Sequence, residues 1–338
     1  MKKSLFFLFL LSVLYACSDK SKTPDVSGIE VNIPVVRFDQ DFFRIDTNDI
    51  PGGLRQLQQK HPGFYIDFMQ QILGVSGVDT NQQTIAVTRE FIRGYAPVQQ
   101  YIDKQFSNTA AFQKELEQAF RYVKHYFPQY KTSNAILFTG PFDAPGVANT
   151  NNGFAFGLQQ YAGKDFKEYQ APEFQEMFPT YISRRFSKEY MVANCMKSVA
   201  DDIFPDRSAG KPLIEQMIEK GKQWYLLDKF LPKTPDSLKT GFTQKQLEWC
   251  AANEGMIWSY IVKNEDLNSL SPAVIQVYIG EAPFTQGMPQ DASPGNLGQW
   301  IGWQIVKKFV SKNSKLSIEE VMRTAPAVIN EQAKYKPK

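Results

Sequence analysis

The stretch from residue 178 to residue 197 (FPTYISRRFSKEYMVANCMK) constrains the fold most, because it is long, largely apolar and free of glycine. The proline at its second position and the apolar spacing after it predict one helix. Arg185 and Glu189 lie one turn apart on the face that carries the apolar residues. A buried carboxylate needs a partner, so we predict that Arg185 and Glu189 form a structural pair. A binding role for Glu189 is the alternative.

The N-terminal residues are typical of a bacterial lipoprotein precursor. Lysines precede an apolar run from residue 5 to residue 14, which is too short to cross a bilayer. The sequence LYAC, which ends at Cys17, resembles a lipobox, in which the cysteine receives the lipid and becomes the mature N-terminus. We therefore predict a signal peptide over residues 1–16 and lipid attachment at Cys17. An ordinary secretory signal followed by an unrelated cysteine is the alternative.

The residues after the lipobox predict a tether and then a folded body. Residues 17–28 are polar and contain proline and glycine, which is typical of a flexible linker. Ser18, directly after the cysteine, favours transport to the outer membrane with the body facing the periplasm. Residues 29–335 are predicted to form a single globular domain, because a chain of 338 residues can bury a large core.

Composition and charge argue against one class of partner. Hydrophobic residues make up 43 % of the chain and charged residues 22 %, which is the range of an ordinary folded protein. The net charge is +3, and no basic run is interleaved with aromatic residues. We therefore expect no binding of nucleic acid.

Apolar spacing predicts an α+β fold that is mainly helical with a small β-sheet. Residues 31–38 alternate in polarity and are predicted to be extended. Residues 134–140 and 147–158 are predicted to form the small sheet, and they precede the helix described above. Almost all of the chain after Tyr181 has helical periodicity, interrupted by prolines.

The C-terminal half holds the strongest packing signals. Gly298 and Gly302 lie one turn apart in the helix predicted from residue 297 to residue 312, so a neighbouring helix is expected to approach closely there. A wall of a ligand pocket is the less favoured alternative. The clustering of all five tryptophans in this half favours one large core over a ligand platform. These are Trp224, Trp249, Trp258, Trp300 and Trp303.

No established catalytic or metal-binding motif is found in the sequence. His61 and His125 are isolated, and there is no HExxH motif, P-loop, dinucleotide-binding glycine pattern or G-x-S-x-G elbow. We therefore predict no catalytic residue, no metal and no cofactor. Cys195 and Cys250 lie in apolar segments, which favours two buried thiols, and a disulfide between them is the open alternative.

Six blocks of the sequence carry a resemblance to one family: the lipobox and residues 31–39, 182–196, 221–232, 246–250 and 293–303. These blocks resemble the gliding motility lipoproteins GldB of Bacteroidetes. The resemblance extends in order over nearly the whole mature chain and implies a cell-envelope lipoprotein that is required for gliding over surfaces. It also implies protein partners in the gliding and type IX secretion machinery, and a membrane contact through the N-terminal lipid.

That family in turn resembles predicted zinc metallopeptidases, whose HExxH helix is followed by a glutamate ligand on a later helix. The motif falls on residues 188–192, where Lys188 and Val192 replace the two histidines and Glu189 keeps the catalytic-type carboxylate. The third ligand falls near Lys220. Neither an ammonium nor an aliphatic group binds Zn²⁺. The resemblance therefore implies a zincin-like scaffold at which these positions are vestigial.

These observations predict a non-catalytic lipoprotein that supports gliding motility through protein partners. Two alternatives stay open. One is a divergent hydrolase related to the metallopeptidases. The other is a periplasmic lipoprotein that binds peptides or glycans, which predicts a deep cleft lined by the tryptophans.

Overall fold

The computed structural model describes residues 23–337, so the predicted signal peptide and Cys17, the predicted site of lipid attachment, lie outside the described residues. The described part of the predicted tether contains Val26, which is buried. The main chain there turns at Ser27, whose N–H donates to the carboxylate of Asp25. The last residues of the predicted tether therefore lie against the folded body.

Four strands form one sheet between two groups of helices. They are β1 (Val35–Arg37), β2 (Asn134–Phe138), β3 (Val147–Thr150) and β4 (Gly153–Gly157). Their order across the sheet is β1-β2-β4-β3. The first three in that order are parallel, and β3 is antiparallel to β4. The small sheet predicted from the two central segments is confirmed, and the predicted extended segment near the N-terminus supplies its edge strand.

Helices account for most of the described residues, which confirms a mainly helical α+β domain. The first five are α1 (Phe38–Phe43), α2 (Ile50–Lys60), α3 (Pro62–Asp67), α4 (Gln82–Gln105) and α5 (Ala110–Tyr126). After the sheet come α6 (Pro172–Met177), α7 (Thr180–Ser183), α8 (Met191–Ile203), α9 (Leu213–Phe230), α10 (Asp236–Thr240) and α11 (Gln244–Ala252). The last are α12 (Glu254–Asn264), α13 (Pro272–Ile279), α14 (Leu297–Lys312), α15 (Ile318–Arg323) and α16 (Pro326–Ala333).

The sheet separates two apolar cores, because successive side chains of a strand point to opposite faces. On β2, Ala135 and Leu137 belong to the larger core, which holds the C-terminal helices. Ile136 and Phe138 point the other way, into a smaller core formed with α1 to α4. Both faces of β2 are therefore buried, which explains why its sequence is continuously apolar instead of alternating.

The two longest C-terminal helices, α9 and α14, cross at bare backbone. A Cβ added to Gly302 of α14 would lie 1.7 Å from the main-chain oxygen of Met217 on α9. A Cβ on Gly221 of α9 would lie 2.2 Å from the carbonyl carbon of Gly302. Gly298, one turn before, faces the backbone of Tyr278 on α13. The predicted close approach at Gly298 and Gly302 is confirmed, and helix packing is its cause.

The prediction of one continuous helix over residues 178–197 is wrong. Helix α7 ends at Ser183, and Ser187 is extended and pairs with Ala162 in an isolated β-bridge. A short 3₁₀ turn over Lys188–Tyr190 then leads into α8. The tertiary reason is Phe186, which is buried against Tyr169 and other aromatic rings. Its burial outweighs the local preference for helix, because packing overrides weak intrinsic propensity.

Candidate functional site

The break between α7 and α8 places two consecutive arginines, Arg184 and Arg185, beside a cleft. The cleft consists of two adjoining cavities, and Arg185 lines both of them. We call it the basic cleft. The inner cavity, of about 220 Å³, is lined by Gln160, Tyr161, Ile182, Arg185, Phe186, Asn194 and Lys197. The outer cavity, of about 430 Å³, lies between α7, the segment from α10 to α11, and the loop between α13 and α14.

Arg185 holds a carboxylate in the outer cavity. Its Nη1 donates to Oε1 of Glu281 at 3.1 Å, and its Nη2 donates to Oε2 at 3.1 Å. This is the parallel two-bond geometry that suits a guanidinium and a carboxylate. The Arg185 side chain is 19 % exposed, whereas that of Glu281 is 50 % exposed. The carboxylate is therefore the solvent-accessible partner of a largely buried guanidinium.

Arg184 is fixed by main-chain oxygens. Its Nη2 donates to the carbonyl of Gly241 at 2.8 Å, and its Nε donates to the carbonyl of Tyr181 at 3.1 Å. Burial, together with the neighbouring charge of Arg185, lowers the pKa of Arg184 from its ordinary value. Within residues 23–337, no carboxylate lies within 4.0 Å of the Arg184 guanidinium. Its close partners are therefore neutral oxygens: the two main-chain carbonyls and Oε1 of Gln246, which accepts from Nη2 at 3.4 Å.

Gly241 allows the chain to pass close to both arginines. Its φ is +78°, a left-handed conformation that side chains rarely adopt. A Cβ at this position would also lie 2.8 Å from Nη1 of Arg185. A larger residue would therefore strain the turn after α10 and push against the guanidinium that holds Glu281.

Lys197 of α8 supplies the third cation, in the inner cavity. Its Nζ donates weakly to Oδ1 of Asn194, at 3.4 Å, and Asn194 Nδ2 donates to the hydroxyl of Tyr161 at 3.2 Å. Burial lowers the pKa of Lys197 to about 8, and the charge of Arg185 acts in the same direction, whereas Glu281 opposes it. In the described part of the chain, no carboxylate forms an ion pair with Lys197. The Lys197 side chain is therefore half-buried, with no carboxylate at ion-pair distance from its ammonium.

The basic cleft thus carries more positive than negative charge. Arg184, Arg185 and Lys197 contribute three cations, and Glu281 is the acidic residue among the lining side chains. Positive charge in a concave, partly dry site focuses the electrostatic potential and attracts anions. The wall adds neutral hydrogen-bonding groups, such as the Tyr161 hydroxyl and the Asn194 amide. Recognition of an anionic group is the chemistry that this arrangement supports.

The predicted pairing of Arg185 with Glu189 is replaced by the pairing of Arg185 with Glu281. The helix that would have aligned the two residues is interrupted at Ser187, so the one-turn spacing does not apply. Glu189 lies in the 3₁₀ turn and is exposed. Its carboxylate is therefore not the buried group that the sequence pattern indicated.

The residues at the vestigial motif positions differ in burial and lie outside the basic cleft. Lys188 and Glu189 are exposed, whereas Val192 lies in α8 and is buried. Lys220 is on α9 and forms an ion pair with Asp206. None of the four motif positions, Lys188, Glu189, Val192 and Lys220, is among the residues that line the two cavities of the basic cleft.

The structure also shows where the cysteines and the tryptophans lie. Cys195 and Cys250 are free and buried, as expected for two thiols, and burial raises the pKa of Cys250 to about 12. Trp224, Trp300 and Trp303 are buried in the larger core, and none of the five tryptophans lines the basic cleft.

In residues 23–337 no cluster of three or more His, Cys, Asp or Glu side chains is arranged to hold a metal ion. Across the same residues, no helix has both the length and the apolar character needed to cross a bilayer.

Sequence reasoning missed three charged residues of the cleft, Arg184, Lys197 and Glu281. Lys197 had a detectable signal, because it is the one charged residue in the apolar run from residue 191 to residue 200. A lysine that interrupts such a run must either reach water or lie in a cavity. Glu281 had no such signal, since it lies in a loop rich in proline and glycine, far from Arg185 in the sequence.

Comparison with known proteins identifies a family. The model of the family described as "Gliding motility protein GldB" matches residues 19–337. The match includes every described element, from β1 to α16. No curated protein and no solved structure matches the chain.

Proposed function

The chain belongs to the gliding motility protein GldB family, and from this premise we propose that it is a non-catalytic cell-envelope lipoprotein. In this proposal it supports gliding motility by binding protein partners of the gliding and type IX secretion machinery. The observation that carries the proposal is the family match over residues 19–337, which spans the whole described body.

The lipid anchor in this proposal is supported by the sequence around Cys17. An apolar run that follows basic residues leads into LYAC, and the family match begins just after the cysteine. A chain with two or more acyl groups is anchored stably, whereas one acyl group gives marginal binding. Ser18 supports sorting to the outer membrane, with the body in the periplasm.

A non-catalytic role is supported by the residue types at the motif positions. Lys188 and Val192 stand where the metallopeptidase pattern has histidines, and neither side chain is a zinc ligand. Lys220, at the position of the third ligand, pairs with Asp206. A zincin-like ancestry of the scaffold is part of the proposal and rests on the resemblance of residues 188–192 to the HExxH motif.

The lipid anchor is tested with the variant Cys17→Ser. Cells are grown with a labelled fatty acid, and the protein is recovered from separated membrane and soluble fractions. We expect the wild-type protein to carry the label in the membrane fraction and Cys17→Ser to carry none. Ser18→Asp, the matched variant, should keep the label and move from the outer to the inner membrane. A labelled Cys17→Ser protein would contradict the anchor.

The non-catalytic role is tested with Glu189→Gln. Because Glu189 is exposed and is assigned no chemistry, we expect this variant to restore gliding to a deletion strain as well as the wild type does. Purified protein should also bind no stoichiometric zinc. Stoichiometric zinc together with a hydrolytic activity that Glu189→Gln abolishes would establish the divergent hydrolase instead.

A second candidate, a periplasmic binding lipoprotein, is favoured by the basic cleft. The two cavities have volumes of about 430 and 220 Å³, within or just below the usual range for small-ligand sites. Their charge suits an anion rather than a neutral glycan, and the tryptophans that would stack on sugar rings lie elsewhere. Binding and motility are compatible roles for one protein.

A further inference from the structure

We propose that the basic cleft binds the carboxylate of a small organic ligand, with Arg185 and Lys197 as its charged partners. The proposal goes beyond the motility role and does not depend on it, because it concerns the chemistry of one cavity and is tested on purified protein.

The first argument is the geometry of Arg185. Its two Nη groups already hold the two oxygens of the Glu281 carboxylate, each at 3.1 Å. The guanidinium is therefore oriented to receive a planar carboxylate, and it is mostly shielded from water. The Glu281 side chain is half exposed, so its ion pair with Arg185 contributes little to stability. Its carboxylate can therefore leave the guanidinium for solvent at a small cost in free energy. We infer that Glu281 occupies the position that a ligand carboxylate takes when it enters.

The second argument is the half-buried ammonium of Lys197, which has no carboxylate partner among the described residues. A partly buried cation without a carboxylate partner reduces the stability of the fold, because part of its hydration is lost and no ion pair replaces it. Within the described residues its nearest hydrogen-bond acceptor is the Asn194 amide oxygen, at 3.4 Å, which is a weak contact. A group that reduces stability and faces a cavity is characteristic of a site shaped by binding rather than by folding. An entering anion would supply the missing partner.

The third argument is the division of the cleft into two cavities. Arg185 lines both cavities, whereas Lys197 lines the inner cavity and Glu281 lines the outer one. The outer cavity adds apolar surface from Tyr181, Phe242 and Pro283, and three threonines also line it. A molecule with one carboxylate and a short polar or apolar body matches this arrangement. Two sources fit that chemistry: a free carboxylic acid and the C-terminal carboxylate of a peptide.

The experiment is a calorimetric titration of the mature full chain in detergent with four probes. They are succinate, N-acetyl-trialanine, the C-terminal amide of the same peptide, and inorganic phosphate. We expect a carboxylate probe to bind with a Kd of about 1 mM or tighter. Succinate as the tighter probe indicates a free acid, and N-acetyl-trialanine as the tighter probe indicates a peptide end. The amide should bind at least about tenfold more weakly than the peptide acid.

Two variants test residues assigned to the site, and a third variant is their control. Lys197→Met should weaken carboxylate binding by at least about tenfold, because it removes a cation that contacts the anion. Glu281→Gln should strengthen it about threefold or more, since the internal competitor is gone. Lys114→Met is the matched control, because Lys114 is exposed on α5 and lines neither cavity. It should leave the affinity unchanged.

Several results would overturn the proposal. If neither acid binds at millimolar concentration, the cleft is not a carboxylate-binding site. If phosphate binds more tightly than either acid, a carboxylate is not the ligand of the cleft. An unchanged affinity of Lys197→Met would remove the role of Lys197. Weaker binding by Glu281→Gln would show that Glu281 supports the ligand instead of competing with it.

Discussion

The crossing of α9 and α14 and the basic cleft belong to the same body and are built on opposite principles. At the crossing, Gly221 and Gly302 leave out side chains so that two backbones touch. In the cleft, Arg185 and Lys197 place long charged side chains around empty volume. The first arrangement maximises contact, and the second places partly buried charge beside a cavity.

The comparison shows that the crossing stabilises the fold, whereas the cleft reduces its stability. Close backbone packing at the crossing gains dispersion contacts, and a hydrogen bond from Trp303 Nε1 to Asp228 joins the two helices at 2.9 Å. The half-buried ammonium of Lys197 gains no comparable contact within the described residues. Groups that break local rules without structural return are expected at functional sites. The cleft, rather than the crossing, is therefore the place to look for binding.

The largest expected effect comes from a methyl group at the crossing. Gly302→Ala should lower the free energy of unfolding by about 3 kcal/mol or more, because the new Cβ would overlap the Met217 main-chain oxygen and force the helices apart. Chemical denaturation of the purified protein measures the change. A loss below about 1 kcal/mol would contradict the close approach of α9 and α14.

Gly94→Ala is the matched control for this substitution. Gly94 is also helical, in α4, but an added Cβ there meets no atom within 4 Å. Alanine should therefore raise the free energy of unfolding by about 0.5 to 1 kcal/mol, since it favours helix and restricts the unfolded chain. Opposite signs for the two variants would separate the effect of packing from that of helix propensity.

The contrast between the two regions also explains what the sequence could predict. Gly298 and Gly302 are one turn apart in an apolar helix, so a local pattern was enough to predict close packing. The helix over residues 178–197 had an equally good local pattern, yet Phe186 is drawn into an aromatic cluster and interrupts it. Local apolar spacing predicts the structure correctly where tertiary contacts do not require a different backbone conformation.

The cleft depends on contacts that a single sequence does not reveal. Arg185 meets Glu281 across α10 to α13, and Lys197 reaches the inner cavity, which Arg185 also lines, from the far side of the break. The predicted partner, Glu189, was chosen because it lay one turn away in a helix that does not continue. Charged pairs between distant segments need the tertiary structure before they can be assigned.

A smaller effect is expected from pH. In the unfolded chain Lys197 loses its proton near its ordinary pKa of 10.5, and in the fold near pH 8. Between these values the unfolded state binds more protons, so the contribution of Lys197 to stability rises with pH. The groups that face it are the cationic Arg185, the carboxylate of Glu281 and the Tyr161 hydroxyl, whose pKa is raised by burial.

This pH dependence is measured as the difference in Tm between the wild type and Lys197→Met. The wild type should be the less stable protein at pH 7, and the difference should shrink between pH 8 and pH 10.5. A difference that stays constant over this range would show that Lys197 is not desolvated in the fold.

The most direct test of the account is a paired measurement on Lys197→Met at pH 7, of Tm and of affinity for the carboxylate probes. If the cleft is a binding site that reduces stability, the variant should melt at a higher temperature and bind the carboxylate at least about tenfold more weakly. A lower Tm together with unchanged affinity would show that Lys197 is a structural residue, and it would contradict the contrast between the crossing and the cleft.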